Sequence, residues 1–286
     1  MSGRVPWDER AVELLACPVC SAPLAALPEG TGLRCAEGHS FDRARQGHVN
    51  LLPPGHRPPS GDSAAMVADR VAFLDAGNYA GITAALADAV TADGPPTSLL
   101  DLGGGTGHHL AGLLDRLPAA AGVVLDSSPY AARRAARAHA RAVAVVADSW
   151  ARLPVRDAVL DRVLVVFAPR NGPEISRVLR PDGRLVVVTP AADHLAELVG
   201  PLGLLRVDPD KAARLVASLE PQLQPVRAAA YREELALPRD AAATLVGMGP
   251  HARHTSPAAI GAGLARMPDP IAVTVSVDVT SYRPAG

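Results

Sequence analysis

The sequence predicts an α/β fold, with a central sheet covered by helices and a small N-terminal domain before it. Three observations indicate this architecture. From Ser98 onward, short runs rich in Val and Leu alternate with helical stretches, as expected for buried parallel strands between helices. A glycine-rich loop, residues 103–107, follows the first of these runs. The three cysteines of the chain all lie between Cys17 and Cys35, which sets the N-terminal segment apart.

The composition fits one large domain with a small one attached. The chain has 286 residues, of which 48% are hydrophobic, enough to bury a sizeable core. Its formal net charge is −1, so the strongly basic balance of many nucleic-acid-binding proteins is absent, although a local basic face stays open. No apolar stretch reaches the length of a membrane span, and the segment around Asp8 and Glu9 lacks the apolar part of a signal peptide. We therefore expect a cytoplasmic protein that does not bind membranes.

The first element is a cluster of metal-ligand residues, Cys17, Cys20, Cys35 and His39, spaced Cys-x2-Cys and Cys-x3-His. Two such turns can surround Zn²⁺ with four ligands in a closed, structural site. The alternatives are a Cys17–Cys20 disulfide with a spare thiol, or a redox Cys-x-x-Cys pair. A disulfide is typical of secreted proteins and a redox pair of a strand–helix context, and the sequence shows neither. The spacing therefore predicts bound zinc.

The cluster and its surroundings divide the chain into three segments. We place a zinc-binding domain, a Pro-rich linker and a large domain at residues 1–52, 53–61 and 62–286. A core as small as that of the first segment is marginal without a metal. Pro-rich connectors are stiff spacers. The large domain begins with a helix that Asp62 or Ser63 can cap, and a second amphipathic helix follows Gly77-Asn78.

Hydrophobic periodicity predicts the remaining elements of the large domain. Five strands are predicted at 98–102, 122–126, 142–147, 161–167 and 183–189. Helices between them are predicted at 106–116, 129–140 and 171–180. After Pro190 we predict helices at 192–199, 209–219 and 238–247, and strands at 228–237 and 271–282. The last two strands would form an antiparallel hairpin at one edge, which gives a mixed, seven-stranded sheet.

The loop Gly103-Gly104-Gly105-Thr106-Gly107 has the features of a nucleotide-cofactor site. Glycines let the backbone turn sharply and allow a ligand to approach closely. Asp126 ends the next strand about twenty residues further on, where a carboxylate can bind ribose hydroxyls. His108, directly after the loop, is a further candidate for binding the cofactor.

The spacing of the loop favours S-adenosylmethionine over NAD. NAD sites use Gly-x-Gly-x-x-Gly with the pyrophosphate on a helix N-terminus, whereas here alternate residues are glycine. Asp101, two residues before Gly103, would repel a pyrophosphate and attract the ammonium group of S-adenosylmethionine. Asp148 and Ser149 end the third strand and can accept from an adenine amino group, although Asp148 alone could be a helix cap. A Rossmann-type domain without a cofactor is the remaining alternative.

Motifs along nearly the whole chain match one known family. They are the four Cys and His residues, the segment from Ser40-Phe41-Asp42 through Gly47 to Leu52, Gly61-Asp62-Ser63-Ala64-Ala65-Met66 with Arg70, Phe73 to Tyr79, Phe167-Ala168-Pro169, Leu179 to Gly183, and Thr189 to Leu198. With these motifs the chain resembles the zinc-containing 23S rRNA guanine-N1 methyltransferases, which include the tylosin- and mycinamicin-resistance enzymes and housekeeping relatives. The zinc ligands combined with Gly-Asp-Ser-x-x-Met are the most specific part. His48 and Thr106 depart from the aromatic and the acidic residue that many relatives carry there.

The resemblance implies a Rossmann-like class I methyltransferase fold with structural zinc and S-adenosylmethionine as cofactors. It implies methyl transfer to N1 of a guanosine in a 23S rRNA hairpin, with macrolide resistance as one role. It also implies a homodimer whose zinc modules and catalytic domains form a cleft for RNA, not DNA. Two alternatives stay open: a small-molecule methyltransferase, which leaves the zinc module without a role, and a non-catalytic RNA- or protein-binding subunit, which the intact glycine loop disfavours.

Guanine N1 carries a proton at neutral pH, so its methylation requires an unpaired or flipped base and loss of that proton. Phe167, at the end of the fourth strand, can stack on the base or equally belong to the core. The sequence does not identify a general base. The candidates, each with a structural alternative, are His108, His109, Asp62 and His194.

We expect RNA to be bound by Arg43, Arg45 and His48, which follow the zinc cluster. A second basic group is a further candidate for RNA binding. Its alternative is a solvated helix face, because cations also interact favourably with helix C-termini. Its members are Arg133, Arg134, Arg137 and Arg141.

Overall fold

The fold is described for residues 6–58, 61–204, 219–253 and 255–285 of a computed structural model. The helix predicted at 209–219 lies almost entirely outside these residues. The strands are β1 Leu24–Ala26, β2 Gly32–Cys35, β3 Ser40–Asp42, β4 Val49–Asn50, β5 Ser98–Leu102, β6 Ala121–Asp126, β7 Ala142–Val146, β8 Leu160–Val166, β9 Leu179–Pro190, β10 Leu223–Leu237 and β11 Ile271–Pro284. The α-helices are α1 Glu9–Val12, α2 Ala64–Asp75, α3 Ala80–Thr91, α4 His108–Arg116, α5 Pro129–Ala135, α6 Gly172–Val178, α7 Ala196–Leu202, α8 Arg239–Gly247 and α9 Pro257–Leu264.

The N-terminal segment is built around a small antiparallel sheet in the order β1-β2-β3. The turn at Cys17–Cys20 precedes β1, and the turn at Cys35–His39 joins β2 to β3. Leu33 on β2 is fully buried. Because Leu24 pairs with Cys35, the start of β1 lies beside the end of β2, and the two turns meet.

The large sheet has the order β10-β11-β9-β8-β5-β6-β7-β4. Strands β4 to β9 run parallel to one another, whereas β10 and β11 run antiparallel to their neighbours. The prediction of a mixed, Rossmann-like sheet with an antiparallel pair at one edge is therefore confirmed.

Within the described residues, the sheet has eight strands rather than the seven predicted. The additional strand is β4, which pairs in parallel with Val145 and Val146 of β7. A strand of two residues is too short to show the periodicity by which strands are predicted. It comes from the segment assigned to the zinc-binding domain, so this segment supplies the outer strand of the large sheet.

Apolar side chains cover both faces of the sheet, which explains its Val- and Leu-rich strands. On one face the buried residues Ile82 of α3 and Leu113 of α4 belong to the core. On the other face, Leu100 lies in the same buried cluster as Leu15 and Leu51 of the N-terminal segment. The boundary between the first domain and the linker stays a prediction. Apolar contacts join the N-terminal segment to the large sheet.

Several helices differ from their predicted bounds. α5 ends at Ala135 rather than at residue 140, because the chain turns back there to enter β7. α6 ends at Val178, since Leu179 has extended backbone and begins β9. α9 was not predicted because its glycines lower helix propensity, although the Ser256 side chain caps it. The bounds of α7 and β10 are also shifted. No helix within the described ranges is long and apolar enough to cross a membrane.

Candidate active site and metal centre

The four predicted metal ligands come together where the two N-terminal turns meet. Their ligand atoms all lie within 4.8 Å of one another. The Sγ atoms of Cys20 and Cys35 are 3.7 Å apart. The Nδ1 atom of His39 lies 3.6 Å from the Sγ of Cys17 and 3.4 Å from that of Cys35. Tetrahedral zinc, with bonds of about 2.3 Å to sulfur and about 2.0 Å to nitrogen, requires S–S edges of about 3.8 Å and S–N edges of about 3.5 Å.

These distances fit a closed zinc site. The three cysteines are free thiols, which excludes the Cys17–Cys20 disulfide. The backbone N–H of Val19 donates to the Cys17 sulfur at 3.4 Å, a bond that orients this ligand from outside the cluster. With four protein ligands, the site has no open position for a reaction, so its role is structural.

The glycine loop between β5 and α4 packs tightly between strand ends. Gly103 and Gly105 have φ angles of 69° and 56°, a region that favours glycine. A Cβ on Gly104 would lie 2.5 Å from the Cγ of Asp101. A Cβ on Gly103 would lie 2.5 Å from the Cβ of Ala168, just beyond β8. The loop therefore has no room for side chains and touches the end of the neighbouring strand.

Asp101 is the buried acid beneath this loop. Its side chain is 1% exposed, and neither oxygen has a hydrogen bond of normal geometry among the described residues. Burial, and then the nearby Asp126 carboxylate, raise the pKa of Asp101 to about 7, and the backbone N–H of Leu110 offsets this only in part. Such an unsatisfied group is costly unless a ligand pairs with it. An ammonium group would supply both charge and donors, so the site fits S-adenosylmethionine.

Asp126 lies at the end of β6, beside the loop. Its carboxylate accepts the backbone N–H of Gly105 at 2.9 Å and that of Ser128 at 2.7 Å. Burial is the main cause that raises its pKa. Each oxygen still has a free lone pair, so the carboxylate can also accept ribose hydroxyls, which stays a prediction.

Asp148 lies at the end of β7, with Ser149 partly buried next to it. It accepts the backbone N–H of Trp150 at 2.9 Å and lies 2.8 Å from the Nε2 of His56. His56 belongs to the Pro-rich segment, and a lone histidine there gives no signal from which this interaction could be predicted. The segment is thereby tied to the strand end where the adenine is expected.

Arg70 is a residue of the site whose role the sequence did not reveal. It projects from α2, and its Nη2 donates to the Asp62 carboxylate at 2.7 Å and to the carbonyl of Met248 at 3.0 Å. Its Nε is buried without a hydrogen-bond partner among the described residues. A Cβ on Gly105 would lie 3.4 Å from the Cδ of Arg70, so this cation lies over the loop. Arg70 and Asp101 therefore complement the carboxylate and ammonium of an amino-acid moiety.

Phe167 follows β8 and is not part of the core. It is 40% exposed and has a φ angle of 54°, which is unusual for a residue other than glycine. Its ring centroid lies 6.3 Å from that of Tyr79 and 5.6 Å from that of His194. Because the adjacent Ala168 touches the glycine loop, this aromatic surface lies next to the cofactor crevice.

Two of the candidate bases are held neutral. His109 Nδ1 lies 2.9 Å from the Thr83 hydroxyl, and burial is the main cause that lowers its pKa to about 3. His194 Nδ1 accepts the backbone N–H of Ser276 at 3.2 Å, and burial lowers its pKa to about 4. A neutral imidazole that accepts at Nδ1 carries its proton on Nε2, so we assign His194 as a donor rather than a base.

Among the described residues, neither of the other two candidates has a hydrogen-bonded histidine or carboxylate that could activate it as a general base. His108 begins α4 directly after Gly107, meets the His109 ring edge-on at 5.5 Å, and has a pKa lowered by burial. Asp62 forms an ion pair with Arg70. The identity of a general base therefore stays open among the described residues.

The arginines expected to bind RNA fall into two sets. Arg43 lies over the Trp7 ring and donates to the carbonyl of Gly47, and His48 is buried. Both side chains pack within the N-terminal segment, contrary to the expectation that they bind RNA. Arg141 is also engaged, by carbonyls at the end of α4. The exposed set comprises Arg45, Arg133, Arg134 and Arg137.

Residues 15–58 match the family model of the RlmA N-terminal zinc ribbon, and residues 99–183 match a methyltransferase domain. A protein of Micromonospora griseorubida named for 23S rRNA (guanine-N(1)) methylation is 51% identical, over 94% of this chain and 97% of its own. The 23S rRNA (guanine(748)-N(1))-methyltransferase of Streptomyces fradiae is 48% identical, over 96% and 99%. A geranyl diphosphate methyltransferase bound to S-adenosylmethionine superimposes with a TM-score of 0.46 at 13% identity, over 82% of this chain and 99% of that one.

These matches reach from the zinc turns to the terminal strands. The two family models agree with a closed zinc site placed before a methyltransferase domain, as the geometry indicates. With relatives about half identical over almost its entire length, the chain belongs to the 23S rRNA (guanine-N(1))-methyltransferase family.

Proposed function

We propose that this protein transfers a methyl group from S-adenosylmethionine to N1 of a guanosine in a 23S rRNA hairpin. The observation that carries the proposal is the exposed Phe167, flanked by Tyr79 and His194, next to the glycine loop. A planar aromatic surface beside a cofactor crevice suits an unstacked base. The names of the two relatives supply the base and the atom.

In this proposal, four parts of the crevice hold the cofactor, which supplies a methyl group on a sulfonium. Asp101 pairs with the ammonium of its methionine part, and Arg70 pairs with the carboxylate. Asp126 accepts from the ribose hydroxyls, while Asp148 and the neighbouring Ser149 accept from the adenine amino group. The support lies in the unsatisfied oxygens of Asp101 and the unpartnered Nε of Arg70.

The target base would stack on Phe167. His194, with its proton on Nε2, can donate to guanine O6, and the backbone carbonyls near Ala168 and Pro169 can accept from the guanine amino group. These interactions would hold N1 in line with the methyl group, and positioning of this kind contributes much of a methyl-transfer rate. His109 and His194 are weak bases, because burial lowers their pKa to about 3 and about 4, and the Nδ1 atom of each is already hydrogen-bonded. We therefore infer that the N1 proton leaves to water rather than to a dedicated side chain.

The test is methylation of a transcribed 23S rRNA hairpin by the purified protein, followed by mass mapping of the product. We expect one methyl group on guanine N1, first to be sought at position 748, for which the Streptomyces fradiae relative is named. Gly105→Arg, which would fill the crevice beside Arg70, should abolish both the product and cofactor binding. Cofactor binding by the wild type without any methylated guanosine would overturn the proposal.

The proposal extends to assembly and setting. A homodimer would supply the paired RNA-binding cleft that the resemblance implies, and sedimentation of the purified protein tests this. The rRNA substrate would place the reaction in the cytoplasm. Growth on macrolides of a sensitive host, with and without the gene, tests the resistance role.

A further inference from the structure

A pocket of about 270 Å³ lies outside the cofactor crevice, between the N-terminal segment and the helices α2 and α5. Gln46, from the loop before β4, forms one wall. Val67 of α2 also lines it, as do Tyr130 of α5 and three arginines in or just after α5: Arg133, Arg134 and Arg137. We infer that this pocket binds one unpaired nucleotide of the RNA substrate, with phosphate on the arginines and the base against Tyr130. The inference rests on the proposed function and adds to it a second place where RNA is held.

The arginines of this pocket are close together in sequence and have no carboxylate partner among the described residues. Arg133, Arg134 and Arg137 are exposed, and none forms an ion pair within the described part of the chain. Several arginines elsewhere are paired with carboxylates, such as Arg180 and Arg184, which lie 2.5 and 2.9 Å from an aspartate oxygen. In a chain of net charge −1, three neighbouring guanidinium groups without a carboxylate partner create a local positive potential. Guanidinium groups suit phosphate because their donors match its oxygens.

Tyr130 gives the pocket a second feature, an exposed aromatic face. Its side chain is 43% exposed, and the guanidinium of Arg133 lies 5.4 Å from its ring centroid. Aromatic rings and arginine planes are the surfaces on which unpaired RNA bases stack. The amide of Gln46 on the opposite wall can donate and accept hydrogen bonds at a base edge or a ribose. Charge, stacking surface and amide together match one nucleotide.

The size of the pocket limits its ligand to one small group. Its volume of about 270 Å³ lies just below the range of roughly 300–1,000 Å³ that is typical of small-molecule sites. A duplex is bound across its grooves by a wide surface instead. The pocket therefore suits a nucleotide splayed out from a hairpin loop or bulge.

Arginines at a helix end also have a simpler explanation, because cations there interact favourably with the helix dipole. Arg116 in the last turn of α4 offers the matched comparison. It is exposed and without an ion pair among the described residues, but it lines neither this pocket nor an aromatic ring. Its removal reports on net charge and helix termini alone.

The experiment measures the affinity of the holoprotein for the 23S rRNA hairpin between about 50 and about 200 mM salt, with cofactor affinity measured in parallel. The variants are Arg134→Ala/Arg137→Ala, Tyr130→Ala and the control Arg116→Ala. For the double variant we expect at least about tenfold weaker RNA binding, and a plot of log affinity against log salt that is shallower by about 0.7 for each phosphate no longer bound. Tyr130→Ala should weaken binding about tenfold with the salt dependence unchanged. Cofactor affinity and the control should match the wild type.

Three results would overturn the inference. They are unchanged RNA affinity in the double variant, an equal loss in Arg116→Ala, and tight binding of guanosine monophosphate to the pocket with RNA affinity unaffected by the variants. Because RNA affinity is read without turnover, the outcome is independent of the proposed reaction. Absence of methylated RNA with the wild type would remove the proposed function, whereas a pocket effect on binding would still be seen.

Discussion

The metal centre and the cofactor crevice use buried polar groups in opposite ways. At the metal centre, the four ligand atoms lie within 4.8 Å of one another and surround a common point. In the crevice, Asp101 and the Nε of Arg70 are buried without partners among the described residues. The first arrangement is closed around a common point, whereas the second leaves buried groups with which a ligand can pair. The comparison teaches that stability and binding are assigned to separate parts of this chain.

The largest effect is expected at the closed site. Cys35→Ser should lose the bound zinc and lower the melting temperature of the whole protein by roughly 10 °C, since loss of a few kcal/mol shifts Tm by about 2–4 °C per kcal/mol in a domain of this size. The whole protein is affected because Leu15 and Leu51 share a buried cluster with Leu100 of the sheet. Calorimetry and metal analysis measure both quantities.

Val19→Ala is the control for this variant, because Val19 lies in the same turn and is 49% exposed. It should keep the zinc and the melting temperature. An unchanged main transition in Cys35→Ser would show that the two regions unfold independently.

The next effect is expected at the open site. Asp101→Asn should weaken S-adenosylmethionine binding about 100-fold, since it removes the charge opposite the ammonium, an interaction of about 3 kcal/mol. Zinc content should be unchanged, and stability without cofactor should not fall, because the ionised carboxylate is unfavourable in its buried site. Titration calorimetry measures the affinity, with the exposed Asp115→Asn as control. Wild-type affinity in Asp101→Asn would mean that the crevice binds through other groups.

Phe167→Ala tests the aromatic surface proposed for the target base independently of the cofactor crevice. It should lower kcat/KM for RNA by about 10- to 100-fold, the value of one base–aromatic stack, and leave cofactor affinity unchanged. Val226→Ala, at an exposed apolar position on β10, is the control. Steady-state methylation with a hairpin measures the effect. Full activity in Phe167→Ala would place the base elsewhere.

The smallest effect is expected from His56→Ala. The loss of one hydrogen bond to Asp148 should weaken cofactor binding about fivefold, corresponding to about 1 kcal/mol. The exposed neighbour Arg57→Ala should have no effect. Binding assays on both variants decide whether the Pro-rich segment supports the adenine side of the crevice or merely lies across it.

The same comparison explains which features of each region could be predicted from the sequence. The metal ligands were predicted because Cys17 to His39 are close in sequence and two short turns suffice to assemble them. The position of Asp101 beneath the glycine loop could be predicted for a similar reason, since one strand–loop–helix unit contains both. Their role in binding the cofactor stays a prediction. The mixed sheet followed from Val- and Leu-rich runs, whereas β4 was too short to be recognised.

Interactions between distant segments could not be predicted. Arg70 lies in a motif that matches the family, but only the packing of α2 brings it to Gly105. His56 reaches Asp148 from a segment with no periodicity. The sequence also could not show that Arg43 faces inward over Trp7, because ring stacking and phosphate binding require the same guanidinium. Phe167 was ambiguous, since an apolar strand predicts burial until the backbone at its end is known.

The most direct test of the account is the pH dependence of S-adenosylmethionine affinity in the wild type and in Asp101→Asn. The pKa of Asp101 is raised to about 7, so the acid is ionised above that pH and protonated below it. Without ligand, a raised acid pKa lowers stability as pH rises from about 4 to about 7, and a bound ammonium group favours the ionised form. Between pH 7.5 and 5.5 we therefore predict that wild-type affinity falls about 20-fold, while the weaker affinity of Asp101→Asn stays constant. Equal pH profiles for the two proteins would contradict the assignment of Asp101 as the partner of the cofactor.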